Sequence, residues 1–361
     1  MTGASFETIR EYATERVTEN TELAELRRRH ARHFLAVAER EGDELGGAQA
    51  TSYARLDASH DNFRAALSYL AEVGTADDEL RLVLALNTFW DVRGHLTEGR
   101  KRVEAALGRK GGQSPALRVK VLAAASDYAR IQGDVNQARQ FCEESLALAR
   151  EVGDLAGIGR ALHELGEAAA AEEDFERASA LFEEAVRVGQ DGGFSAAGSI
   201  GNLGDLALAQ GDYGRAIELS ERALALFQKE GRQLGTLVAL SNIAQATVRL
   251  GHRSEASARI KECLERALEF GYREVIAWCL ETTAALVVLD QPETAARLTG
   301  AAEALLDQIG SSFGPAERRM HEETIAAVNG LFGEDAAQQY RDEGAEMALE
   351  DVLKLAGDSL H

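Results

Sequence analysis

"NLGDLALAQGDYGRAIELSERALALF", residues 202–227, holds few groups capable of chemistry, yet its order is strict. Apolar residues recur at helical spacing on both sides of Gly211-Asp212, so the stretch reads as two helices joined by a turn. The same turn recurs along the chain, with His95, Asp134, Asp174, Asp212, His252 and Gln291 in the last position. The intervals are 39, 40, 38, 40 and 39 residues, the mark of stacked helical hairpins.

Three further rows keep register with the turn. Four residues after it stand Gly99, Ala138, Ala178, Ala216, Ala256 and Ala295. Seven further on stand Ala106, Ser145, Ala185, Ala223, Cys263 and Ala302. Eight residues before the turn come Ser126, Gly166, Gly204, Ala244 and Thr283. Small residues in these places let two helices approach closely. The Asp or His after the turn glycine is expected to cap the second helix, and Pro292 suits a first helical position.

Composition agrees. The chain has 361 residues, 45% hydrophobic and 27% charged, with only three prolines, which points to an all-helical protein with a buried core. Its formal charge of -21 opposes phosphate binding, so direct nucleic-acid contact is not expected, and "RRRHARH" (27–33) reads as a helix face. No apolar run approaches membrane-spanning length, and Cys142, Cys263 and Cys279 lack disulfide or zinc spacing. These features predict a cytoplasmic chain without a membrane anchor.

The repeat resembles the tetratricopeptide repeat. In residues 202–224, Leu203, Gly204, Tyr213, Ala216 and Ala223 occupy that family's packing positions. Residues 164–186 supply Leu165, Gly166, Phe175, Ala178, Phe182 and Ala185 in the same way, while the copies at 77–113 and 273–312 are degenerate. The resemblance implies an all-α, right-handed superhelix of about six hairpins, each of about 39 residues rather than the usual ~34. Residues 77–312 form the array, 1–76 an N-terminal helical segment and 313–361 capping helices. The flanks are expected to hold helices over 5–19, 21–41, 50–74, 315–333 and 334–356.

"FETIREYATERV" (6–17), "RRRHARHFLAVAE" (27–39), "HDNFRAALSYL" (60–70) and "FWDVRGHLTEGRKRVEAAL" (89–107) resemble a second thing. With the closing "AEMALEDVLKLA" (345–356), they are similar to the C-terminal part of bacterial STAND-type ATPases and transcriptional regulators. That resemblance implies a sensor arm, with 1–76 leading from a nucleotide-binding and winged-helix part not present in this sequence. The alternative is a free-standing scaffold joining partner proteins.

Searches for chemistry find nothing that points to catalysis. There is no phosphate loop, and "GSIGNLG" (198–204) lies within a helix rather than after a strand. "HEET" (321–324) lacks a second zinc-binding histidine, and His30 and His33 lack further ligands. No catalytic residue, cofactor or metal is expected. A hairpin array offers instead a concave face lined by first helices. The family's groove positions fall on Lys120, Asp127, Arg130, Arg160, His163 and Glu167, then on Asn202, Asp205, Asn242, Gln245 and Arg249. The amides of Asn202 and Asn242 suit an extended peptide backbone, and Lys120, Arg130 and Arg160 suit an acidic or C-terminal peptide. The partner is therefore a protein, a peptide or a small effector, or the missing ATPase part. Trp90 and Trp278 are expected in the core.

Overall fold

The structure is a computed structural model that describes residues 20–44, 49–109 and 111–360. The helix expected over 5–19 lies outside the described residues. Every regular element described is an α-helix, eighteen in all. Residues up to Leu165 form one compact unit and residues from Gly166 form a second.

The first unit opens with α1 (Asn20–Glu44), α2 (Gln49–Ala58) and α3 (His60–Val73). Hairpins α4 (Ala76–Val92)–α5 (Leu96–Gly108) and α6 (Pro115–Ile131)–α7 (Val135–Val152) follow, then the start of α8 (Leu155–Ala171). The rest of α8 begins the second unit, with α9 (Phe175–Gly192). Three hairpins succeed it: α10 (Ala197–Gln210)–α11 (Tyr213–Glu230), α12 (Gln233–Arg249)–α13 (Arg253–Phe270) and α14 (Arg273–Val287)–α15 (Pro292–Ile309). The chain closes with α16 (Pro315–Phe332), α17 (Glu334–Glu346) and α18 (Leu349–Ser359). Six hairpins therefore stand where the repeat placed them, and the fold is an α-α solenoid.

The small-residue rows explain the packing. Every residue of the +4 and +11 rows is buried. A Cβ at Gly166 would lie 2.5 Å from the Phe182 ring, and one at Gly204 would lie 2.7 Å from Ser220 Oγ. Phe182 thus gains its burial, about 1.5–3 kcal/mol for such a side chain, because residue 166 has no side chain to compete with it.

The turns divide into two kinds. Asp134, Asp174 and Asp212 each accept a hydrogen bond from the amide three residues on, at 3.3, 3.1 and 3.1 Å. His95 and His252 make no such cap, contrary to expectation. The His95 ring packs instead 4.5 Å from the His60 ring, and His252 turns toward Glu255. Before the capping residue the chain is left-handed, and glycine supplies that conformation at Gly94, Gly133, Gly211 and Gly251. In the hairpin α8–α9, Glu173 adopts φ 60 there, the one non-glycine with positive φ among the described residues.

Two expected helices are broken. Residues 50–74 divide at Ser59, and 334–356 divide where Met347 turns extended, with φ -66 and ψ 144. The second break lets α18 lay Val352 and Ala356, with Leu360 just after it, onto the core of the second unit. In that core α17 crosses α15 at backbone distance. A Cβ on Gly300 would overlap the Arg341 carbonyl, and one on Gly344 would overlap that of Arg297.

Two outcomes follow from these contacts. Gly300→Ala should lower stability by about 1–3 kcal/mol in urea unfolding, because a backbone carbonyl cannot rotate away from the added methyl. Glu173→Gly should raise stability by about 0.5–1 kcal/mol in the same assay, the relief of a left-handed non-glycine outweighing glycine's added freedom when unfolded.

Candidate ligand cavity beneath helix 16

In the second unit the inner faces of α10, α12 and α14 do not stand open. Helix α16 packs against α10 and α14. It reaches α12 through Gln245, whose Nε2 donates to Glu317 at 3.0 Å, and through the Arg249–Glu323 ion pair. Arg319 donates to the Ala209 carbonyl at 3.4 Å. His321 is clamped between Glu281 on α14 at 3.0 Å and Glu303 on α15 at 2.9 Å. The segment expected only to cap the array thus lies over the groove face as well.

Burial alone would lower the His321 pKa, but the hydrogen bonds and charges of Glu281 and Glu303 outweigh it and raise the value to about 9. The ring is therefore an imidazolium at neutral pH, joining α16 to two helices.

Where α16 begins, a cavity of about 440 Å³ remains beneath it. Glu167, Asp205, Glu274 and Glu317 bring carboxylates to its wall from α8, α10, α14 and α16. Asn202 and Asn242 line it too, and Phe175, Phe182 and Trp278 supply rings. No Lys, Arg or His is among its described lining residues. Asn242, only 3% exposed, donates to Asp205. Burial, with the Glu317 charge adding to it, pushes the Asp205 carboxyl up to about 7, against the pull of the Asn242 bond.

The groove residues read from sequence meet different fates. Asn202, Asp205 and Asn242 converge on the cavity with Glu167, to which Asn202 donates at 3.5 Å. Gln245, 1% exposed, and Arg249 hold α16 in place. In the first unit Lys120 is exposed and His163 half-buried. Arg160 is bound by Asp127 at 2.6 Å and Glu164 at 2.7 Å, and Arg130 lies 3.8 Å from Asp127. Two of the three cations expected to attract an acidic peptide thus already face carboxylates. Trp90 is in the core as expected, whereas Trp278 packs on the core and also walls the cavity.

Sequence reading missed Glu274, Glu281, Glu317 and His321. One signal was available: Glu281 is a lone carboxylate within the apolar run "IAWCLETTAALVV" (276–288), where a buried charge requires a partner.

Other reactive groups are quenched. Burial, then the charge of Glu164, raise the Cys142 thiol far above its ordinary value, which suppresses the nucleophilic thiolate. His60, His95 and Glu98 place ligand atoms within 4.8 Å of one another. Arg64, however, binds both Glu98 oxygens at 2.8 and 2.6 Å, a fixed positive charge beside any metal. Burial and Arg64 both lower the His60 pKa.

A solenoid of helical hairpins with a cavity on its first-helix face defines a repeat protein built for binding. A family model for the tetratricopeptide repeat matches residues 118–191 and 195–269, so the hairpins in those residues are tetratricopeptide repeats. A candidate HTH-type transcriptional regulator of Mycobacterium tuberculosis is 30% identical over 168 residues, 44% of this chain and 19% of that protein. The like-named Mycobacterium bovis protein matches equally, so this chain spans only a small part of the curated relatives it matches. Among solved structures, the apo quorum sensor NprR from B. thuringiensis superposes with a TM-score of 0.58 at 13% identity, over 96% of this chain and 92% of that one. A STAND protein with a tetratricopeptide repeat sensor from Pyrococcus horikoshii gives 0.53 at 16% identity, over 96% of this chain and 56% of that one. At such identities these likenesses establish the fold. Among the described residues no helix is long and apolar enough to cross a membrane.

The His321 clamp has a pH signature. The folded protein binds this proton more tightly than the unfolded chain, so its stabilisation is complete below about pH 6.5 and is lost as pH rises through about 9. His321→Gln should therefore lower the urea midpoint clearly at pH 6 and hardly at all near pH 9.5. An equal loss at both pH values would show that the imidazolium is not what holds α16.

Proposed function

We propose that this chain is the ligand-sensing arm of a larger signalling ATPase or transcriptional regulator, and that it acts by binding rather than catalysis. The observation that carries the reading is the cavity shared by α8, α10, α12, α14 and the start of α16. A ligand there touches the repeats and α16 together, so its occupancy favours one seat of that helix over another. Differential affinity of this kind is what lets a ligand shift a two-state equilibrium. Asn202, Asp205 and Asn242 make the ligand contacts. Gln245 and Arg249 hold the moving part, and Lys120, Arg130, Arg160 and His163 present a polar face on the preceding repeats.

The comparisons support the same reading without carrying it. A STAND sensor shares this fold, NprR has been solved in complex with its cognate peptide, and the curated relatives are named as transcriptional regulators. In this reading residues 1–76 link the array at 77–312 to an upstream nucleotide-binding part, and the chain works in the cytoplasm.

The test begins with the genomic reading frame upstream of codon 1, which should run through a nucleotide-binding domain. In that whole protein, Arg249→Ala combined with His321→Ala should change basal ATP turnover by roughly 5-fold or more, the lower range of allosteric coupling. A frame without a nucleotide-binding domain, or unchanged turnover in the double variant, would overturn the proposal.

A further inference from the structure

We infer that the cavity beneath α16 binds a small organic cation, an ammonium or guanidinium group carried on an apolar, ring-sized body. This rests on the reading of that cavity as the effector site and names the chemistry of its ligand.

The first argument is a contrast within the chain. Elsewhere, sheltered carboxylates meet cations: Glu41 meets Arg40 at 2.9 Å, Glu79 meets Arg109 at 3.3 Å, and Glu98 meets Arg64 at 2.6 Å. Glu164 meets Arg160 at 2.7 Å and Glu281 meets His321 at 3.0 Å. The cavity breaks that rule. The donors to three of its carboxylates, Asp205, Glu274 and Glu317, are neutral: Asn242 for Asp205, Ser311 for Glu274 at 2.7 Å, and Gln245 for Glu317 at 3.0 Å. Neutral donors satisfy lone pairs but leave the charge in place, and such charge in a sheltered site requires a proton or a cation.

The second argument is shape and lining. A volume of about 440 Å³ lies within the range of small-molecule sites. Phe175, Phe182, Leu206 and Trp278 give apolar and aromatic surface, and ring faces attract cations as well as hydrocarbon.

The third is electrostatic linkage. Burial and Glu317 hold the Asp205 carboxyl near 7, while Glu167, Glu274 and Glu317 face the same space and Asn242 is the neutral group opposing that rise. An entering cation displaces the proton that Asp205 carries. Binding therefore releases protons, and affinity rises as pH increases through about 7.

The experiment is isothermal titration of the full chain with phenethylamine and, separately, with 3-phenylpropionate, which places a carboxylate on a similar body. Phenethylamine should bind one to one, more tightly at pH 8 than at pH 6, and the carboxylate at least about ten-fold more weakly. Asp205→Asn should weaken phenethylamine by about ten-fold or more, as loss of a sheltered charge partner does. Glu274→Gln is the second variant, should the first fail to fold. No phenethylamine binding, or unchanged binding in a folded variant, overturns the inference. Tighter binding of 3-phenylpropionate overturns the cation while leaving the cavity as an effector site. Phenethylamine binding as described, with no coupling to ATP turnover in the whole protein, upholds the inference and removes the sensor reading.

Discussion

A helical hairpin satisfies its backbone hydrogen bonds within each helix, so only side-chain contact holds the two helices together. That makes the distance of approach the governing constraint. Where Ala178, Ala216, Ala256 and Ala295 face the first helix, the backbones come close enough for Phe182 and Leu203 to fill what remains. Larger groups in those rows would push each pair apart, and the displacement would add up along the array, because each repeat rests on its neighbour. At the C-terminal end the constraint is strictest: α15 and α17 touch through Gly300 and Gly344, leaving no room even for a methyl group.

This constraint also explains what the sequence discloses. Close approach requires particular residue sizes at fixed offsets from the turn, so the six hairpins are legible from spacing alone. Capping is less legible, because a carboxylate and an imidazole occupy the same slot for different reasons: Asp134 caps, whereas the His95 ring packs tilted against that of His60. The breaks at Ser59 and Met347 carry no glycine or proline. The break at Met347 arises because tertiary packing draws α18 onto the core, which local propensity does not encode. Asn202, Asp205 and Asn242 are readable as one face of successive first helices. Glu317 and His321 are not, because their roles depend on where α16 returns in space, more than 70 residues along the chain from Gln245.

Charge is distributed with a similar logic. The formal charge of -21 leaves most carboxylates in solvent, and those drawn inward are generally matched by arginine. Matching is needed because an unpartnered sheltered charge costs more than most single contacts return. A site where the pattern lapses is therefore either strained or kept for something that arrives later. The cavity wall combines the lapse with aromatic surface, which strain alone does not account for.

How α16 is held determines whether such a site can signal. A helix sealed by a large apolar face would be fixed in place, since its release would expose that whole area to water. The α16 contact is mixed. Met320 and Val328 are buried, but around them the helix is held by Gln245, Arg249, the Ala209 carbonyl and the two carboxylates about His321. Polar contacts of this kind can be exchanged for water at modest net cost, so two seats of the helix can lie close in free energy. Glu317 belongs both to that set of contacts and to the cavity wall. In the proposed reading, a cation drawn toward Glu317 would change the strength of the Gln245 bond at the same carboxylate, and a small ligand would thereby act on an eighteen-residue helix through a single side chain.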